Sequence, residues 1–230
     1  MNNLRCAGIL WRMSAPRVFK SALFWFLATL LLIAVFTAFG PAEKTLGTNV
    51  RVVYLHGAWV WTAMAGIVAA ALTGLGGLVF RRDSLHRWSR ALGRTGLLFW
   101  VTYLPISLWA MQANWNGLFL VEPRWRVGVI FAVGGVLLQA GLTLLESPAW
   151  ASALNLGYAV ALLAALQNTG RIMHPPSPIL DSDALRIQLF FGGLCALTLF
   201  AAWQVARWLR RHDEPHSADV VKARAPSQTG

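Results

Sequence analysis

Cysteine and charge are both scarce in this chain. The two cysteines, Cys6 and Cys195, lie far apart in 230 residues and belong to no CxxC, CxxCH or zinc-type spacing. Thiol redox chemistry and covalent porphyrin attachment therefore have no basis in this sequence. Cys195, inside an apolar stretch, reads as a small core residue. Only 13% of residues are charged, against 57% hydrophobic, and the mean hydropathy is +0.53. A soluble domain of this length cannot bury so much apolar surface. Also missing are a Ser-His-Asp order, a P-loop and a usable GxGxxG; the GxGG ending at Gly77 lies within an apolar run and reads as helix packing. Nothing here supports bond-making catalysis by side chains, and the chain is not expected to be an enzyme.

What is abundant is long apolar sequence. The runs approach 20 residues, the length an α-helix needs to cross ~30 Å of hydrocarbon. They predict an all-α, polytopic membrane protein with six transmembrane helices at about 22–39, 52–80, 96–112, 127–145, 149–167 and 184–209. The first run follows a basic head but exceeds a signal-peptide core, about 7 to 15 residues, so it reads as a retained helix. Gly66, Gly74, Gly76 and Gly77 in the second span suit close helix packing, and Pro105 predicts a kink in the third. Residues 1–210 form one membrane domain, and 211–230, polar and rich in Pro, Ser and Ala, read as a disordered tail.

The net charge of +11 would suggest nucleic acid only if it formed a stripe on a soluble domain. Instead the basic residues separate the apolar runs. Fourteen of the 20 lysines and arginines fall in the head, the RRDSLHRWSRALGR segment and the C-terminal stretch from Arg207 onward, which places both termini in the cytoplasm. The expected location is the bacterial inner membrane, with no nucleic-acid partner. His56, the connection 114–126 and the loop 168–183 then lie at the outer face, whereas His86, His212 and His216 lie on the cytoplasmic side. Asp181 and Asp183 read as caps of the sixth span.

Two histidines, His56 in RVVYLHGAW and His174 in MHPP, are the candidate ligands. Neutral imidazole binds haem iron, and one on each face of a porphyrin makes a six-coordinate site. A lone interfacial histidine that hydrogen-bonds a carbonyl is the competing structural reading. Between them in sequence, Trp115, Phe119 and Trp125 offer stacking surface, and Arg124 or Arg126 can pair with carboxylates. An interfacial aromatic belt accounts for the same tryptophans.

The order of these features resembles the CcmC-like haem-handling proteins of bacterial cytochrome c maturation, and more broadly the superfamily with the tryptophan-rich WWD signature. The R-[IV]-x-Y-x-H stretch that opens that family's second helix is matched by Arg51-Val52-Val53-Tyr54-Leu55-His56. The WGxWWxWDxR segment after its third helix corresponds to Trp115–Arg124, WNGLFLVEPR, and its histidine-proline before the last helix to His174-Pro175. Trp115 and Arg124 match, and Glu122 is conservative. Leu118, Phe119 and Val121 replace tryptophans, and Asn116 replaces a glycine. The resemblance implies His56 and His174 as axial ligands of a non-covalent haem b, with Trp115, Phe119, Glu122 and Arg124 in the pocket. It also implies delivery of haem to a periplasmic haem chaperone or an apocytochrome, alongside other cytochrome c maturation subunits. The lost tryptophans keep open an alternative, a transporter or transport-complex subunit binding a different small molecule in the same pocket. A third reading is a scaffold that binds partners through Gly74, Gly77, Gly134 and Gly135.

Overall fold

The computed structural model describes residues 22–145, 147–170, 179 and 183–213. The described elements are all helices: α1 (Ala22–Ala38), α2 (Val50–Phe80), α3 (Asp83–Trp115), α4 (Pro123–Leu145), α5 (Pro148–Asn168) and α6 (Leu185–His212). Each helix from α2 to α6 is long and apolar enough to cross a membrane, as a multi-pass membrane protein requires. As described, α1 is equally apolar but has 17 residues, about 25 Å of rise, slightly less than the ~30 Å of a hydrocarbon core.

The α2–α3 hairpin is the centre of the bundle. α2 touches α1, α3, α5 and α6, and α3 touches α2, α4, α5 and α6, while α1 lies outside and packs mainly on α6. Two glycines decide how closely α2 and α3 approach. A Cβ on Gly66 would lie 2.9 Å from Gly96 Cα, and one on Gly96 would lie 2.7 Å from the backbone nitrogen of Ile67. Backbone thus meets backbone, the geometry that small residues permit between membrane helices. Trp59 and Phe99 stack across the same pair, and the Trp59 indole donates to Thr102 Oγ1 at 2.8 Å.

The arginine-rich segment expected as a loop is helical. Arg81, in the left-handed region at φ 51°, turns the chain, and α3 already begins at Asp83, thirteen residues before the expected start. The reason is visible in residues 83–94: they contain no proline, carry an acid in the first turn, and sort their side chains by helical period. His86, Ser89 and Gly93 lie on one face, Arg87, Arg90 and Arg94 on another. α3 then continues unbroken past Pro105 to Trp115. α4 also starts earlier than expected, at Pro123, and α6 runs through 211–212, the expected start of the tail. The cap position of α6 is Ala184; Asp183 immediately precedes it and Asp181 lies outside the described residues.

His86, expected only to lie on the side away from the candidate site, is 7% exposed. Its Nδ1 lies 2.7 Å from Ser152 Oγ on α5. One turn deeper, Ser89 donates to Ala70 O at 2.8 Å, Asn155 donates to Ser89 O at 3.1 Å, and Gln139 donates to Asn155 Oδ1 at 2.9 Å. These bonds knit α2, α3, α4 and α5 together. Glycines make room for them: a Cβ at Gly77 would meet His86 Nδ1 at 2.7 Å, and one at Gly93 would meet Asn155 Nδ2 at 2.8 Å. Membrane hydrogen bonds contribute only about 0.6 kcal/mol each on average, so close packing dominates the association. The faces of Gly74, Gly77 and Gly135, considered above for partner binding, are filled by side chains of this chain; Gly134 faces open space.

Gly96→Ala is therefore expected to destabilise the bundle by about 1–3 kcal/mol through overpacking. Gly157→Ala, where a Cβ meets nothing within 4 Å, is expected to be neutral or slightly stabilising. Thermal unfolding of the two variants in the same detergent checks the contrast.

Candidate functional site

The candidate site lies at the end of the bundle where α2 begins. Its level is set by pairing across the α2–α3 hairpin: Asn49 Nδ2 donates to Ala113 O at 2.9 Å, and Asn114 Nδ2 donates back to Asn49 O at 3.3 Å. His56, seven residues further on, is therefore about 10 Å inside this rim. It is half-buried. Its ring lies 5.8 Å from that of Tyr103.

Tyr103 is the residue that organises this layer, and the sequence reading did not single it out. Its ring meets Trp100 edge-on at 4.9 Å, and the Trp100 indole donates to Gly128 O at 3.1 Å. The Tyr103 hydroxyl packs on Gly128 so closely that a methyl group there has no room. α2, α3 and α4 are thus locked together beside the His56 imidazole. The available signal was a tyrosine one helical turn from Trp100, opposite a glycine near the start of the next span, a pairing visible only once helix partners are known.

The connection between α3 and α4 forms an outer layer. Trp115 closes α3 and Asn116 turns the chain at φ 50°. Trp115 and Phe119 are 36% and 37% exposed, so both present surface at the rim. Glu122 is only 4% exposed and precedes Pro123, the first residue of α4; its main-chain oxygen accepts from Arg126 N at 3.1 Å. An acid is electrostatically favoured at a helix N-terminus, whereas Arg124 and Arg126 in the same first turn are not. Arg124 Nη2 reaches Leu166 O at 3.5 Å and ties α4 to the end of α5; Arg126 Nε reaches Leu120 O at 3.3 Å.

The four connection residues share one end of the bundle with His56 but not its layer. Trp115 lies about 14 Å further along α3 than the level opposite His56. The space beside His56 is approached instead by the first two turns of α6 and by Ile179, six residues before that helix: a Cβ on Gly57 would meet Phe191 at 3.2 Å and Ile179 at 3.9 Å. His174, the second candidate ligand, lies outside the described residues.

Several buried polar atoms at this end have no hydrogen-bond partner: Thr37 Oγ1, Tyr54 Oη, Asn114 Oδ1 and Trp125 Nε1. Buried polar groups are normally satisfied, and these four atoms are exceptions to that rule. As a donor set for a porphyrin, the end supplies an imidazole in apolar surroundings, aromatic rims and guanidinium groups toward water. That chemistry fits the group.

Two tests follow. Gly128→Ala should displace Tyr103 and cost about 1–3 kcal/mol; Tyr103→Phe in the same chain should recover part of it, a non-additivity that a double-mutant cycle of thermal stabilities reads. In the connection between α1 and α2, Glu43 Oε2 accepts from Thr45 N at 2.8 Å and Leu46 N at 2.9 Å. The Leu46 N–H, then that of Thr45, hold its carboxyl below the ordinary value of 4.5. The lowered value means this turn is supported above the unfolded carboxylate's range and released as pH falls through the folded value. Amide exchange at Thr45 and Leu46 should therefore lose protection, relative to Glu43→Gln, only below about pH 4.5. Neither a protein-family model nor a curated protein matches this chain.

Proposed function

We propose that this protein binds haem b non-covalently at the outer face of the bacterial inner membrane and hands it on during cytochrome c-type biogenesis. In this reading α1 is the sixth span and both termini are cytoplasmic, as the lysine and arginine distribution favours. The observation that carries the proposal is His56. An imidazole sits two turns inside the end of a membrane helix, against Tyr103, at the end of the bundle where buried polar atoms lack partners. Ionisable groups at such depth are costly and are retained for function.

Haem, when bound, would supply an iron that takes nitrogen ligands. His56, beside Tyr103, and His174 would hold it. Arg124 anchors carboxylates at the rim, Trp115 and Phe119 cover the ring edge, and Glu122 helps position the start of α4. A carrier needs ligands that exchange, and two neutral imidazoles meet that need without covalent chemistry. The recipient is a periplasmic haem chaperone or an apocytochrome, with other maturation subunits as partners.

A second reading has its own observation. Leu118 and Val121, at two of the positions where the resembled family has tryptophan, are 53% and 63% exposed. They offer little stacking surface, which suits a transporter or transport-complex subunit with a different small molecule in the pocket.

The deciding measurement is the absorption spectrum of protein purified from haem-making cells. A Soret band is expected in the wild type, lowered or shifted in His56→Ala and His174→Ala and lost in the double variant. Unchanged haem in the double variant would refute axial ligation, and no band even after haem is added would favour the transporter reading.

A further inference from the structure

At the opposite end of the bundle, α3 and α6 form a cationic cleft that the haem reading does not use. Trp88 of α3 stacks on Trp203 of α6, with ring centroids 5.1 Å apart and planes inclined by 11°. The guanidinium carbon of Arg210 lies 4.5 Å from the Trp88 ring centroid. Trp203 and Arg210 are about 10 Å apart along α6, room for one indole between them. Arg94 donates to both carboxylate oxygens of Asp213, at 2.9 and 3.2 Å. That ion pair sets the Arg87-Arg90-Arg94 face of α3 beside the last turn of α6.

The charges in this cleft are not balanced. Arg87 Nε, Arg90 Nη2 and Arg210 Nε are all buried and have no hydrogen-bond partner. The described carboxylates at this end are Asp83, which is exposed, and Asp213, which Arg94 already engages. Burying guanidinium nitrogens without an acceptor is unfavourable, so the geometry calls for an anion with several oxygens. Guanidinium groups match phosphate oxygens in fixed, paired geometry.

We infer that this cleft binds the phosphate of an anionic membrane phospholipid. A lipid suits it better than a free anion because of what lies alongside. Phe200 and Trp203 are both close to half exposed on α6, an apolar track for acyl chains leading inward from the arginines. Basic pockets between membrane helices recognise lipid headgroups in this way, and tryptophan concentrates at headgroup level.

The test uses the full chain, delipidated in detergent and incubated with phosphatidylglycerol or phosphatidylcholine of identical acyl chains. Retained lipid is counted by native mass spectrometry. Phosphatidylglycerol should be retained about tenfold more than phosphatidylcholine, and Arg90→Gln with Arg210→Gln should remove most of that preference. Arg82→Gln with Arg211→Gln removes the same charge from exposed positions on the same helices and should leave the preference within about twofold. Equal retention of the two lipids by the wild type would overturn the inference. So would equal loss in both double variants, the signature of diffuse attraction, or displacement of the lipid by millimolar inorganic phosphate. The wild-type comparison decides even if the cleft variant fails to fold.

Discussion

The contact on which the rest of the structure depends is the backbone approach of α2 and α3 at Gly66 and Gly96. Lipid tails are as apolar as leucine, so burial of apolar surface does little to join membrane helices. Association then rests on dispersion and on hydrogen bonds that need close approach. Two absent side chains allow that approach, and the consequences run both ways along the hairpin. Toward one end they bring Ser89 to Ala70 and let His86 and Asn155 enter the bundle; toward the other they set Trp59 on Phe99 and Tyr103 beside His56.

The two ends of the bundle are built on different physical rules. Around His86 the polar groups of Ser89, Ser152 and Asn155 bond across the helices, with glycines cut to their shape, while Gln139 Oε1 at the edge of this network is buried without a partner. Around His56 the imidazole meets the Tyr103 ring, and toward the same end of the bundle Tyr54 Oη, Asn114 Oδ1 and Trp125 Nε1 are buried without partners. The arginines at the other end fall into two groups: Arg94 is paired with Asp213, while Arg87, Arg90 and Arg210 each hold a buried nitrogen without a hydrogen-bond partner.

The haem reading and its alternative differ in what fills the connection between α3 and α4. Glu122 and Arg124 begin α4 in a way that helix electrostatics explains for the acid and not for the base. Trp115 and Phe119 border the site from an outer layer rather than touching the imidazole level. The His56 layer is therefore bordered by Tyr103, with the connection as a separate outer layer.

Much of the architecture was legible in the chain because a bilayer tests only length, apolarity and charge position. The long apolar runs appear as helices, and the close-packing role of Gly66, Gly74 and Gly77 was readable from composition alone. The limits of that logic appear at residues 83–95, where arginines read as a loop although their spacing is helical; charge reports what faces water, not where hydrogen bonding stops. His56 was legible as a candidate because an imidazole in an apolar helix is conspicuous in one dimension. Tyr103, the burial of His86 and the cationic cleft were decided only in three dimensions. Each depends on which helix lies opposite, at what height and on which face, and those relations are set by packing between segments far apart in sequence.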